Sequence, residues 1–233
     1  MFIQSMHARE ARPRIDPSDP CFAPGAICKR HVEERKMKIA AFSDTHGNKD
    51  DMRDAICRFG PLDLLVHLGD GVCDGRQAAE AAGIPFRGVW GNNDHGGAML
   101  SDQAVIEVQG WQFLLTHGHE TGMNPYNPEP VWQTYLREMA ARAKDLGAHA
   151  FLFGHAHKPV LQQESGIVLC NPGDQYTGAR TGPSFALIEL EALTARFRIF
   201  RKNKAGDWDL LLELRHVRTS PSPPRSSGST PDA

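Results

Sequence analysis

The chain has 233 residues, 40% of them hydrophobic and 23% charged, and a formal net charge of −2. These values describe an ordinary globular chain with room for a sizeable core. The charge is unevenly spread: residues 37–214 carry 16 basic and 22 acidic side chains. That balance excludes a general nucleic-acid footprint, and no apolar run reaches the roughly eighteen residues of a membrane span.

Residues 1–36 include ARPRIDPSDPCFAPG, rich in proline and charge and without periodicity. This predicts an extension outside the folded part. Met37 opens the first strand pattern. It is either a natural start behind an upstream segment or the first ordered residue after a disordered arm. TSPSPPRSSGSTPDA at the other end reads as a low-complexity tail. The domain is therefore expected over 37–216, flanked by 1–36 and 217–233.

Within it, Ile39–Ser43 reads as a strand, and Lys49–Phe59 as a helix with Asp50 and Asp51 in its first turn. A second strand covers Leu64–Leu68, a short helix Arg76–Ala82 stops at Gly83, and a third strand covers Phe86–Trp90. Such alternation implies parallel strands with helices outside. Then Val105–Val108 and Gln112–Thr116 form a hairpin. Pro130–Leu146 forms a helix whose stripe of Trp132, Tyr135, Leu136, Met139, Ala143 and Leu146 is core packing. Six strands follow, at Ala150–Phe153, Val160–Gln163, Ile167–Cys170, Phe185–Leu190, Arg196–Phe200 and Leu210–Leu214. The expected architecture is α/β, a mixed pair of sheets covered by helices.

The strand ends carry the chemistry. They read Asp44-Thr45-His46-Gly47-Asn48, Gly69-Asp70, Gly91-Asn92-Asn93-Asp94, Thr116-His117-Gly118-His119 and Gly154-His155-Ala156-His157. In α/β sheets ligands bind beyond the carboxyl ends of strands. Asp44 and His46 share parity on an extended segment, as do His155 and His157, so each pair is expected to point one way. Two carboxylates, an amide oxygen and four imidazoles exceed the needs of one tetrahedral zinc and suit two cations bridged by a carboxylate. Oxygen and imidazole donors without thiolate favour manganese, iron, nickel or zinc.

In this order the motifs D-x-H, G-D, G-N-x-D, H and G-H-x-H resemble the calcineurin-like metallophosphoesterase family, over nearly all of residues 37–200. The THGH and GHAH forms look most like its small single-domain phosphodiesterase branch. The resemblance implies a four-layer α/β/β/α sandwich. It implies one divalent cation on Asp44, His46, Asp70 and His157, and a second on Asp70, Asn92, His117 and His155. A metal-bridging hydroxide would then attack phosphorus in line. Asp94 would orient a ligand or the substrate water. Many relatives carry histidine where this chain has Asn93, which cannot act as an acid but can donate a hydrogen bond to phosphate. His119 is the candidate substitute.

The expected activity is therefore a metal-dependent phosphoesterase, a phosphodiesterase before a phosphomonoesterase, with manganese first among the metals. The alternative is a non-catalytic protein-interaction scaffold on the same fold, which would be free to lose metal ligands. The expected partner is a small phosphodiester or phosphate ester, with a homodimer possible. Five cysteines without framework spacing point to reduced thiols and a cytoplasmic location. Cys21 and Cys28 lack the second pair that a zinc site needs. His67 reads as a core histidine and His95 as a surface one. Asn48 is read as a cap for the first helix, and Arg180 as a possible phosphate contact.

Overall fold

The computed structural model describes residues 36–95, 100–122, 126–176 and 181–218. Arg180, Cys21 and Cys28 lie outside them. The domain is built from two mixed sheets. The first, ordered β11-β10-β9-β1-β2-β3, contains β1 (Met37–Phe42), β2 (Leu64–His67), β3 (Phe86–Gly88), β9 (Ser184–Leu190), β10 (Thr194–Lys202) and β11 (Trp208–Val217). Its strands β1, β2 and β3 are parallel, and β9 joins β1 antiparallel. The second, ordered β4-β5-β6-β8-β7, contains β4 (Gln103–Val108), β5 (Trp111–Thr116), β6 (Ala150–Phe153), β7 (Val160–Glu164) and β8 (Ile167–Asn171). Here β5, β6 and β8 run parallel.

The period of two along each strand sorts side chains between layers. Ile39, Ala41, Val66, Trp111, Phe113, Leu115, Leu152 and Ile188 meet between the sheets. Ala40, Phe42 and Leu65 turn outward to Met52 and Ala55 of α1 (Lys49–Phe59) and Ala78 and Ala79 of α2 (Val72–Ala82). On the far side Leu114, Phe151 and Phe153 meet Trp132, Leu136 and Met139 of α3 (Glu129–Asp145). The result is the expected α/β/β/α sandwich. Burying each such large apolar side chain contributes about 1.5–3 kcal/mol.

Element ends differ from the sequence reading in instructive ways. Helix α2 begins at Val72, not Arg76, because its first turn is capped from a distance. Asp94 accepts hydrogen bonds from the backbone N–H groups of Gly71 and Val72, at 2.8 and 3.0 Å. Strand β3 stops at Gly88 instead of Trp90. Strand β11 is longer than Leu210–Leu214 and reaches Val217, with a bulge opposite Ile199/Phe200. Asn48 does cap α1: its side chain accepts from Asp51 N–H, while its amide donates to the Gln175 carbonyl at 2.7 Å.

Candidate metal centre

Asp44, Asp70, Asn92, His117 and His155 follow β1, β2, β3, β5 and β6, so parallel pairing brings their corners to one edge of the sandwich. The corners are turns, not continuing strands. Asp44, His46, Asp70, His155 and His157 all adopt positive φ, between 45° and 62°. Left-handed backbone is unfavourable for side chains of this kind, and held at a site it marks a position fixed by its surroundings. Convergence of Asp44 with His46 therefore arises from left-handed turns, not from strand parity, and His155 does not join His157 in a cluster. Glycine is needed where corners touch: a Cβ on Gly91 would lie 2.2 Å from Asp70 Oδ1.

Among the described residues two clusters of ligand atoms result, Asp44–His46–His157 and Asp44–Asp70–His117. His117 Nε2 lies 3.1 Å from Asn92 Oδ1, 3.5 Å from Asp70 Oδ1 and 3.9 Å from Asp44 Oδ1. His157 Nε2 lies 3.3 Å from Asp44 Oδ1, and His46 Nε2 lies 3.8 Å from Asp70 Oδ2. Asp44 belongs to both clusters, and Asp70 reaches one imidazole through each oxygen. The sequence reading gave Asp70 as the bridge; here Asp44 is common to both clusters, and Asp70 adjoins the first through His46.

The outer nitrogens define which way the lone pairs point. His117 Nδ1 lies 2.7 Å from the Leu68 carbonyl, and His157 Nδ1 lies 2.9 Å from Asp174 Oδ2. A carbonyl or carboxylate there calls for the Nδ1–H tautomer, which leaves a bare Nε2 pointing at oxygen lone pairs. Lone pair facing lone pair is repulsive unless a cation or proton sits between them. Asp44 Oδ1 is buried and accepts no hydrogen bond, while Oδ2 accepts from Ser43 Oγ and His155 N–H. An orphaned buried carboxylate oxygen among bare imidazole nitrogens fits a divalent cation.

With no cation in place, protons on the imidazoles take up part of that role. Burial pushes the Asp44 carboxyl up towards its neutral form, against the pull of His117 and His157. Burial would raise Asp70 as well, but His117 and two N–H groups of Asn93 outweigh it and hold Asp70 below the usual carboxylate range. For His117 burial acts downward, yet Asp70 and Asp44 prevail and the net direction is up. The Asp174 hydrogen bond raises His157, while burial and neighbouring His117 lower His155.

The remaining expected residues fall as follows. His155 joins neither cluster; its ring stands 5.1 Å from that of His117. His119 opens a 3₁₀ turn at His119–Thr121, its ring 5.5 Å from His117 and its Nδ1 3.5 Å from Glu120 Oε2. Asn93 donates its side-chain amide to Asp70 Oδ2 at 2.6 Å and its backbone N–H to Oδ1 at 2.8 Å. Asp94 does not face the cluster: its carboxylate accepts from the backbone N–H groups of Asp70, Gly71, Val72 and Gly91. His95 is exposed. His67 is fully buried, beside Thr45 Oγ1 at 3.3 Å, and burial lowers it to about 4.

Sequence reasoning missed two carboxylates. Asp74 accepts from Thr45 Oγ1 and Gly47 N–H, both at 2.8 Å, and so braces the first corner. Its spacing of four from Asp70, on the helix leaving that corner, was the available signal. Asp174 orients His157.

Residues 37–193 match the calcineurin-like phosphoesterase superfamily domain. The chain is 31% identical over 165 residues to the probable metallophosphoesterase YsnB of Bacillus subtilis, covering 69% of this chain and 90% of that one. It is 26% identical over 173 residues to the phosphodiesterase MJ0936 of Methanocaldococcus jannaschii, covering 66% and 94%. The crystal structure of wild-type Vps29 complexed with zinc from Entamoeba histolytica has the same fold, with a TM-score of 0.62, 18% identity and coverage of 77% and 99%.

Proposed function

The chain belongs to the calcineurin-like phosphoesterase superfamily, and from that premise we propose that it hydrolyses small phosphodiesters using two divalent cations, manganese foremost. One observation carries the reading: the Nε2 atoms of His117 and His157 are aimed at carboxylate oxygens, with Asp44 Oδ1 left without a hydrogen bond. That arrangement is costly unless cations, or protons on the imidazoles, fill it. Asp44, His46 and His157 would hold one cation. Asp44, Asp70, His117 and Asn92 would hold the other, with His155 alongside. Paired divalent cations supply an acidified water and neutralise charge on a phosphoryl group.

The chain's own residues set the rest. Asp174 and the Leu68 carbonyl fix the imidazoles that face the cations. Asn93 clamps Asp70 and offers no proton, so good leaving groups suffer least. His119, its ring near those of His117 and His155 and its Nδ1 3.5 Å from Glu120 Oε2, would give the proton to a poorer one. Preference for diesters rests on the relative named a phosphodiesterase. A cytoplasmic setting rests on the free thiols of Cys57, Cys73 and Cys170.

The test is hydrolysis of an aryl phosphodiester by metal-stripped chain with Mn²⁺ returned, beside Asp70→Ala. Activity restored in the wild type and absent in the variant is the expected outcome. A chain that binds Mn²⁺, Fe²⁺, Ni²⁺ or Zn²⁺ yet hydrolyses nothing would overturn catalysis and leave the scaffold reading.

A further inference from the structure

Strand β11 lies at the edge of the first sheet, and among the described residues β10 is its only strand partner. Its two faces differ. Leu212 and Leu214 pack on the core between the sheets. Glu213, Arg215 and Val217 stand opposite Arg198, Arg196 and Thr194 of β10, on the outward face. Leu211 sits in the bulge, 39% exposed, and Val217 is 59% exposed.

Charge on that face is unbalanced. Arg196 binds Glu213 through two hydrogen bonds, at 3.1 and 2.9 Å. Arg215 is thus left directly across from another arginine, a like-charge pairing that destabilises a sheet. Arg215 lines an open cavity of about 310 Å³ together with Lys36, Glu189, Glu191 and Thr194. None of these gives it an ion pair within 4.0 Å among those the structure shows. The arginine is exposed and left open to an anion on a second surface.

We infer that the outer edge of β11 pairs antiparallel with β11 of a second copy, about a two-fold axis through Leu214. In that register Glu213 of each chain meets Arg215 of the other, and Leu211 meets Val217. Neighbouring registers of the same facing fail. Centring on Glu213 opposes two carboxylates, and centring on Arg215 opposes two guanidinium groups. Shifts by a single residue set outward side chains against inward ones. The bulge at Leu211 ends the regular ladder on one side. Arg218, whose guanidinium binds the Ala192 and Gly110 carbonyls, ends it on the other. The strand therefore offers one short self-complementary stretch, 211–217, as an isologous two-fold interface requires.

Sedimentation equilibrium of the full chain tests this. The expected mass rises with concentration from 25.7 kDa towards twice that value. Arg215→Glu places like charges together twice across the axis and should weaken association by roughly tenfold or more. The double exchange Glu213→Arg with Arg215→Glu should restore it, since opposite charges then meet again. Circular dichroism confirms that each variant is folded, and hydrolysis of the aryl phosphodiester should not change. A chain that stays monomeric, because a terminal segment or nothing covers the edge, would overturn the proposal. So would a dimer indifferent to Arg215→Glu, or a folded double exchange that fails to reassociate.

Discussion

The two ends of the sandwich handle buried charge in opposite ways. At the metal end Asp44 Oδ1 has no hydrogen bond, and imidazole lone pairs face carboxylate oxygens. At the base Arg218 stacks over Trp111 at 4.8 Å and donates to the carbonyls of Gly110, Gln109 and Ala192. His149 there accepts from Gln112 N–H at 2.9 Å, its ring against Trp111. Burial, and for His149 also Arg218, pushes His149 and His216 below the ordinary imidazole value. The base is complete within the chain, and the metal end is complete only with something added. A fold of marginal stability can carry such a deficit at one end because the apolar core and the hydrogen-bonded base stabilise the rest.

Substitutions at the two ends should therefore fail differently. Asp44→Asn should lower metal affinity and aryl phosphodiester hydrolysis by more than ~100-fold, beyond what outer partners of a ligand contribute. The metal-free variant should melt no lower than the metal-free wild type, because burial already drives this carboxyl towards neutrality. A large drop in calorimetry would break the contrast. Arg218→Ala should do the reverse. Losing several hydrogen bonds and the stacked cation costs about 2–3 kcal/mol, or roughly 5–10 °C in melting temperature for a domain of this size, with metal affinity unchanged by titration calorimetry. Asp174→Asn sharpens the contrast from within the metal end. It keeps a hydrogen-bonding side chain beside His157 but removes the charge, and should lower metal affinity ~10-fold, towards the low end of such effects. An unchanged affinity would mean that His157 is oriented by packing alone.

Local signals made the layers readable in advance. Alternation placed β1, β2, α1 and β6 because their core faces are written in consecutive residues. The order of the D-x-H, G-D, G-N-x-D and G-H-x-H corners placed the site. What escaped was long-range. The start of α2 depends on Asp94, more than twenty residues away along the chain. Asp74 and Asp174 look like ordinary helix-start and turn residues until the corners they brace are folded against them. The left-handed turns at Asp44 and His157 are uncommon for any residue but glycine, and the tolerance of Asp and His for them is too weak a signal to announce them.

The Asp94 carboxylate joins the corner of Asp70 to the corner of Gly91 and Asn92 through backbone N–H groups on both sides. These corners cannot drift apart while that junction holds. Asp70 and Asn92 then present themselves as a pre-set pair, their relative freedom removed during folding instead of at metal capture. A cation arriving at one of them finds the other already in place. For the proposed cations, little of the binding free energy would then go to assembling the cage that receives them.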